Sequence, residues 1–287
     1  TGFEGGTTDV WGIRWVESSN PYCTYYEPVP CLAEAQTIAD LEAHPWPQLD
    51  WFTFDHLRPQ IQAFNDKDRY AIVLSGLKFF EVASWMRGFE QFFLDMIERP
   101  EFVYYMMEKV TTFYRDLTWR ALDAAGDVID IIWSSSDVGG QTNLLFSPQT
   151  WREQVKPWHQ MLVTPFKEAG YKTRYHTDGA VAPIIEDLID MGLDLLDPIQ
   201  PNTPGMEPEE LVEKFGGRLA YYGGINTQTI LPYGTPTEVE REVLRYIDVL
   251  GRQNSYGYCV AASNAIQPDV PVENILSLFR TAQEYRY

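Results

Sequence analysis

With 287 residues, 45% of them hydrophobic and 22% charged, the chain is long enough to bury one substantial core. Its composition is that of an ordinary globular protein, which excludes extended disorder. The formal net charge of −19 excludes nucleic acid and anionic membrane surfaces as partners, because both are bound through Lys and Arg. It also disfavours polyanionic small molecules at long range, although a local Arg cluster could override that within about a Debye length, ~8 Å. No apolar stretch approaches the ~18 residues of a membrane span and no basic-then-apolar leader is seen, so neither a span nor a signal peptide is expected. Cys23, Cys31 and Cys259 form no CxxC and leave an odd cysteine over, the usage of a reducing compartment, and the expected location is the cytoplasm.

The first 60 residues read as an irregular segment carrying a β-hairpin. Two alternating runs, residues 10–16 and 23–27, flank a turn at Ser18-Ser19-Asn20-Pro21. A short helix over residues 33–42 fits among Pro28, Pro30, Pro45 and Pro47, and the aromatic residues here are expected to cover a barrel end. Residues 71–76 form a compact strand ending in Gly76, followed by helices over 89–97 and 100–124, the second opening on Pro100. A strand over 128–133 runs into Ser134-Ser135-Ser136-Asp137-Val138-Gly139-Gly140. The helix expected over 148–169 has Ser147 as N-cap and Gly170 as its stop. Strands then recur over 173–176, 193–196, 219–222 and 256–261, with helices over 181–191, 208–215, 236–250 and 271–285.

This alternation has the spacing of a parallel sheet. Buried parallel strands read as short apolar runs, and in a β/α barrel the functional groups sit where the chain leaves each strand's carboxyl end. Four runs end that way, in Tyr175-His176-Thr177-Asp178-Gly179, Asp197-Pro198-Ile199-Gln200-Pro201, Tyr222-Gly223-Gly224-Ile225-Asn226 and Ser263-Asn264-Ala265-Ile266-Gln267-Pro268-Asp269. The expected fold class is α/β, a (β/α)8 TIM barrel in one domain over residues 1–287. Residues 1–60 are the hairpin-bearing extension and 61–287 the barrel. Six strands are counted rather than eight, so one or two either precede Thr1 or are weak strands of the N-terminal segment.

From about Phe79 onward the chain resembles the uroporphyrinogen decarboxylase superfamily, which includes true decarboxylases and the zinc methyltransferases that work with corrinoid proteins. The strand ends above carry the resemblance, together with Arg87-Gly88-Phe89-Glu90, Arg99-Pro100-Glu101, Leu231-Pro232-Tyr233-Gly234-Thr235-Pro236 and Pro268-Asp269-Val270-Pro271. It implies a (β/α)8 barrel with its site at the carboxyl ends of the strands. In the methyltransferase branch the fourth-strand motif resembles His-x-Cys-Gly, with another Cys near the last strand, and these hold zinc. Here His176 matches and Asp178 stands in place of the Cys. True decarboxylases resemble one another in a His where this chain has Asn264.

His176 and Asp178 are two apart on a strand, so both project to one face and could bind one ion. Carboxylate in place of thiolate gives a harder ligand set, less suited to activating a substrate thiol. The alternative is a metal-free His–Asp pair that orients substrate. Cys259 could supply a third ligand, but an offset of one residue from the methyltransferase Cys turns it to the other face, as a buried, inert thiol. Asp137 could act as base, hold a cation or anchor a hydroxyl, or it could cap its own loop through the Gly139 and Gly140 amides. Gln141, Gln200, Asn226 and Asn264 are neutral hydrogen-bonding groups suited to orienting substrate. Glu81 either lines the barrel mouth or is a solvated helix-start carboxylate. His44, His56 and His159 lie outside the motifs.

A tetrapyrrole decarboxylase must hold eight carboxylates, and only Lys78, Arg87 and Arg174 lie near strand ends to do so. A methyl-transfer enzyme needs a pocket for an uncharged or cationic methylated compound and a surface for a corrinoid protein, which an acidic, aromatic-rich chain fits better. The first expectation is therefore a methyltransferase that moves a methyl group between a small methylated substrate and a corrinoid (cobalamin) protein. The resemblance implies Zn2+ at His176 and Asp178 and a homodimer. The alternatives are a carboxy-lyase of the uroporphyrinogen decarboxylase type, without cofactor, and a non-catalytic small-molecule-binding barrel.

Overall fold

A computed structural model describes residues 7–20, 24–65 and 69–286. The chain divides into two compact units, Thr1–Ser136 with Thr150–Tyr171, and Asp137–Gln149 with Lys172–Tyr287.

The first unit begins with an antiparallel sheet of β1 (Thr7–Thr8), β2 (Arg14–Ser19) and β3 (Thr24–Val29). β2 and β3 are the expected hairpin, in register from Arg14↔Val29 to Ser19↔Thr24. Pro21 and Cys23, expected in its turn and second arm, lie outside the described residues, as does Thr1. Asp9 ties down the loop before β2 by accepting from the amides of Trp11 and Ile13 and from the Trp15 indole at 2.9, 3.0 and 2.9 Å. The next helix, α1 (Ile38–Glu42), is shorter than expected, because Thr37 and Asp40 close a capping box that fixes its start. There follow α2 (Leu57–Phe64), β4 (Val73–Leu77), α3 (Phe79–Arg87), α4 (Phe89–Glu98), α5 (Pro100–Ala125) and β5 (Ile131–Ser135), which runs parallel to β4. The sequence did not announce α3. Every residue of it except Trp85 is buried, so it lacks the polar face that makes a helix periodic in sequence. The single helix expected over 148–169 is two, α6 (Pro148–Gln154) and α7 (Lys156–Glu168). Pro157 opens α7: it has no amide hydrogen and its ring excludes the carbonyl four residues back.

One ion pair joins three parts of this unit. The Arg87 Nε lies 2.6 Å from Asp95 Oδ2, with both side chains fully buried. The same guanidinium donates to the carbonyls of Leu32, Ala33 and Ala35 at 2.6, 3.2 and 2.9 Å. Gln91 and Arg99 donate to the other Asp95 oxygen. The N-terminal segment is thereby fastened to α3 and α4.

The second unit carries β6 (Lys172–His176), β7 (Leu195–Ile199), β8 (Ala220–Ile225) and β9 (Tyr258–Ala262), a parallel ladder in that order. Its helices are α8 (Ile185–Asp190), α9 (Pro208–Phe215), α10 (Ile230–Tyr233), α11 (Pro236–Tyr246), which continues as a π-helical stretch over Ile247–Gln253, and α12 (Val272–Glu284). The strands alternate as pleating demands. Tyr175, Leu196 and Tyr221 are fully buried on one face, with the Tyr221 hydroxyl donating to the Leu211 carbonyl of α9 at 3.4 Å. Arg174, His176 and Asp197 point the other way. The six parallel strands expected are the six among the described residues, and the strands of the N-terminal segment are antiparallel. The fold class is α/β, with the strand–helix succession of a TIM barrel. None of the described helices is long and apolar enough to cross a membrane.

Replacing Asp95 with Ala leaves Arg87 buried without its counter-charge. Breaking such a pair costs about 3–5 kcal/mol, so the urea midpoint of Asp95→Ala should fall accordingly. A midpoint equal to that of the parent chain would show that the pair contributes nothing to stability.

Candidate active site

The site lies in the second unit, where β6 ends. His176 is the last residue of β6 and stands in register with Asp197 of β7. Its Nδ1 is 3.4 Å from Asp197 Oδ2 and its Nε2 is 3.6 Å from Asp137 Oδ1. Beyond the strand the Thr177 amide donates to the Asp197 carbonyl at 2.8 Å. The next amide, that of Asp178, donates to Asp137 Oδ1 at 3.2 Å.

The Gly139-Gly140 loop closes on this turn. The Ala180 amide donates to the Gly140 carbonyl at 2.8 Å, and Val138 donates its amide to the Thr177 hydroxyl at 3.3 Å. A Cβ at Gly139 would collide with the Asp178 carbonyl, and one at Gly179, where φ is +86°, would collide with the Gly139 backbone. Only glycine fits at either point.

Asp137, His176 and Asp178 each bring one ligand atom to within 4.8 Å of the others. Burial, helped by the Asp137 charge, raises the Asp178 carboxyl to about 6, against the opposing pull of His176 and the Asn264 amide. Burial works against the His176 cation. The hydrogen bond to Asp197 and the charges of Asp137, Asp197 and Asp178 together outweigh it, so the imidazole titrates above its ordinary value. Asp178 Oδ1 is buried and has no hydrogen-bond partner. An orphaned acceptor of this kind is what a cation or a proton would satisfy. Two carboxylate oxygens and one imidazole nitrogen, with further positions left for water or substrate, fit a zinc-like divalent ion, and the absence of thiolate makes the set a hard one.

The other expected residues separate clearly. Asn264 donates from Nδ2 to Asp178 Oδ2 at 2.8 Å. Gln200 accepts the Gly179 amide at 2.8 Å and donates to Gln141 at 2.7 Å, so these two side chains line the same turn. Asn226 is 6% exposed, and its Oδ1 accepts the amides of Gln228 and Thr229 at 2.7 and 3.0 Å. Its carbonyl is thus committed to capping its own loop rather than offered to substrate. The Gly140 amide donates to the Asn143 carbonyl, and Asp137 accepts the amide of the Asp178 turn. Cys259 stands opposite Tyr222 in β9, so the register puts it on the face of His176 and Asp197 and not on the opposite one; it is exposed rather than buried, and it lies outside the converging group. Glu81 belongs to the first unit. It is buried, not solvated, and the Ser135 hydroxyl donates to it.

Two more residues stand in the site: Arg174, weighed in the sequence only as a cation for substrate carboxylates, and Asp197, which opens one of the four strand ends. Asp197 faces His176, and Arg174 binds Asp197 through Nε and Nη2, both at 2.8 Å. The signal available was the pair Arg174-x-His176, which strand alternation puts on one face; the register that brings Asp197 to them is not written locally.

The sequence profile of uroporphyrinogen decarboxylase (URO-D) matches residues 79–285. No curated protein matches the sequence. Among solved structures, a methyltransferase from Methanosarcina mazei is similar with a TM-score of 0.62 at 21% identity, over 91% of this chain and 72% of that one. At that identity the likeness is one of fold.

Because the folded-state pKa of Asp178 is raised, its contribution to stability is complete below the ordinary carboxylate range and is lost as pH rises through about 6. Asp178→Asn, which stays neutral, avoids that loss. In chelator-treated protein the variant should therefore gain stability relative to the parent chain as pH rises across this window, read from urea unfolding at a series of pH values. A difference that does not change with pH would mean that Asp178 is not raised.

Proposed function

The chain belongs to the uroporphyrinogen decarboxylase family, whose fold is the TIM barrel, and from that premise we propose that it is an enzyme of the methyltransferase branch. It moves a methyl group between a small methylated substrate and a corrinoid carried by a partner protein. The observation that carries this reading is the convergence of Asp137, His176 and Asp178 within 4.8 Å. A cluster so acidic favours a neutral or cationic methyl donor and opposes a substrate bearing many carboxylates.

The cations that a decarboxylase would need are otherwise engaged. Arg87 is bound to Asp95 and to three backbone carbonyls. Arg174 is bound to Asp197 and lies 4.0 Å over the Tyr222 ring. Lys78 sits 5.9 Å over Trp85.

In demethylation the carbon–heteroatom bond breaks, the corrinoid takes the methyl group, and the heteroatom keeps the bonding pair and gains a proton. Asp178, raised to about 6, and the His176 imidazolium are the groups able to give that proton. Gln141 and Gln200 orient the donor. In place of that proton, a zinc ion held by Asp137, His176 and Asp178 would supply Lewis acidity toward the methyl-bearing heteroatom; the two roles exclude one another, because a ligating imidazole and carboxylate carry no proton to give. The reading takes the enzyme as a cytoplasmic homodimer with one barrel domain per chain.

The test is an anaerobic assay of the purified chain with cob(I)alamin and a panel of methylated amines, ethers and thiols, following the cobalamin spectrum, with metal content measured in parallel. Methylation of cobalamin by at least one donor is expected. His176→Gln should slow it by roughly 10²–10⁴. Turnover of uroporphyrinogen with none on any methyl donor would replace this reading with the carboxy-lyase one.

A further inference from the structure

We propose that Arg174 and Asp197 are positioning residues that fix the tautomer of His176, placing the ring proton on Nδ1 and presenting Nε2 to the reaction. The geometry is set by the sheet. Arg174 and His176 alternate onto one face of β6, and parallel register puts Asp197 of β7 beside His176. The Asp197 side chain is 4% exposed, and its Oδ2 receives Arg174 Nε and Nη2 at 2.8 Å each while lying 3.4 Å from His176 Nδ1. The flat side of the guanidinium rests over the Tyr222 ring at 4.0 Å, so the carboxylate is held from one side by a group that is itself held. A carboxylate paired with Arg stays an acceptor, so the neutral imidazole meets it with an Nδ1 proton. Nε2 then carries the lone pair, 3.6 Å from Asp137 Oδ1 and within the converging group.

A free neutral imidazole prefers its proton on Nε2, so the arrangement reverses the intrinsic preference. That reversal gives the pair a function beyond packing: with the proton on Nε2 the same ring could neither ligate a cation nor accept a proton at the mouth of the site. Lysine in place of Arg174 would keep the charge but lose the planar fork and the stacking surface. The role of Nε2 in chemistry rests on the function proposed above, whereas the tautomer itself does not.

The tautomer can be read directly. Long-range 1H–15N correlation spectra of 15N-histidine-labelled, chelator-treated protein, recorded above the imidazole titration, distinguish the protonated nitrogen from the bare one. The chain has four histidines, and the His176 signals are those missing from His176→Gln. The parent chain should show a protonated Nδ1 and a bare Nε2. Asp197→Ala alone would strand Arg174 and risk misfolding, so the companion is the double variant Arg174→Leu/Asp197→Ala, in which neither charge is left alone. In it the ring should revert to Nε2–H, and kcat for methyl transfer should fall about 10–100-fold with little change in KM. A protonated Nε2 in the parent chain, or an unchanged tautomer in the folded double variant, would overturn the proposal. A bare Nε2 in a protein that transfers no methyl group would instead count against the proposed function and leave the positioning pair intact.

Discussion

The candidate site depends on two loops of the second unit meeting at backbone distance. Gly139-Gly140 and Asp178-Gly179 are far apart in sequence, yet each occupies space that a single Cβ on the other would fill. The Ala180 amide on the Gly140 carbonyl, and the Asp178 amide on the Asp137 carboxylate, close the contact. Glycine is required at 179 for its positive φ as well as for space. The clasp brings Asp137 and Asp178 together although their charges repel. It is built mainly from backbone groups, which do not titrate, so it can hold like charges close over the whole pH range in which the fold persists.

Three carboxylates meet one arginine and one histidine here, and the structure divides them unequally. Asp197 takes the arginine. Its charge is therefore matched locally, and it acts as a fixed acceptor against Nδ1 of His176. Asp137 and Asp178 share what remains, and burial beside a like charge raises Asp178. The outcome is an uneven set: one carboxylate matched by an arginine, one carboxyl that changes protonation near pH 6, and an imidazole among them that keeps its proton longer than usual. Such separation of pKa values within one cluster is the arrangement that acid–base chemistry uses.

Much of this was legible in the sequence, and the rest was hidden for identifiable reasons. The parallel strands announced themselves as short apolar runs, and their polar exits located His176, Asp178 and Asp137, because a strand end is a local feature. Asp197 stands in one of these exits too, but its pairing with His176 on the neighbouring strand is chosen by register, a property of two strands together. α3 was missed because near-complete burial erases the amphipathic period, and the break between α6 and α7 was missed because Pro157 reads as either an interruption or a helix start. Asn226 and Glu81 are hard to read for a related reason. A polar residue at a strand or helix end looks available for substrate until its own partners are known, and here these are two loop amides for one and the Ser135 hydroxyl for the other.

The residue at 264 bears on the one at 178. A thiolate at 178 would need few hydrogen bonds, but a carboxylate presents two oxygens that must be satisfied or protonated. Asn264 satisfies one of them, donating to Asp178 Oδ2 while its own carbonyl is held by the Ala265 amide at 2.6 Å. The other, Oδ1, is left buried without a hydrogen-bond partner. A cationic side chain at 264, as the decarboxylase resemblance would place there, would also donate to Asp178, but its charge would pull the carboxyl down and keep it ionised. A neutral amide gives the hydrogen bond with far less of that electrostatic pull. Asp at 178, where the methyltransferase resemblance has Cys, and Asn at 264, where the decarboxylase resemblance has His, are thus joined by one hydrogen bond: together they keep a carboxyl group in the site that is oriented yet still able to hold a proton or a cation.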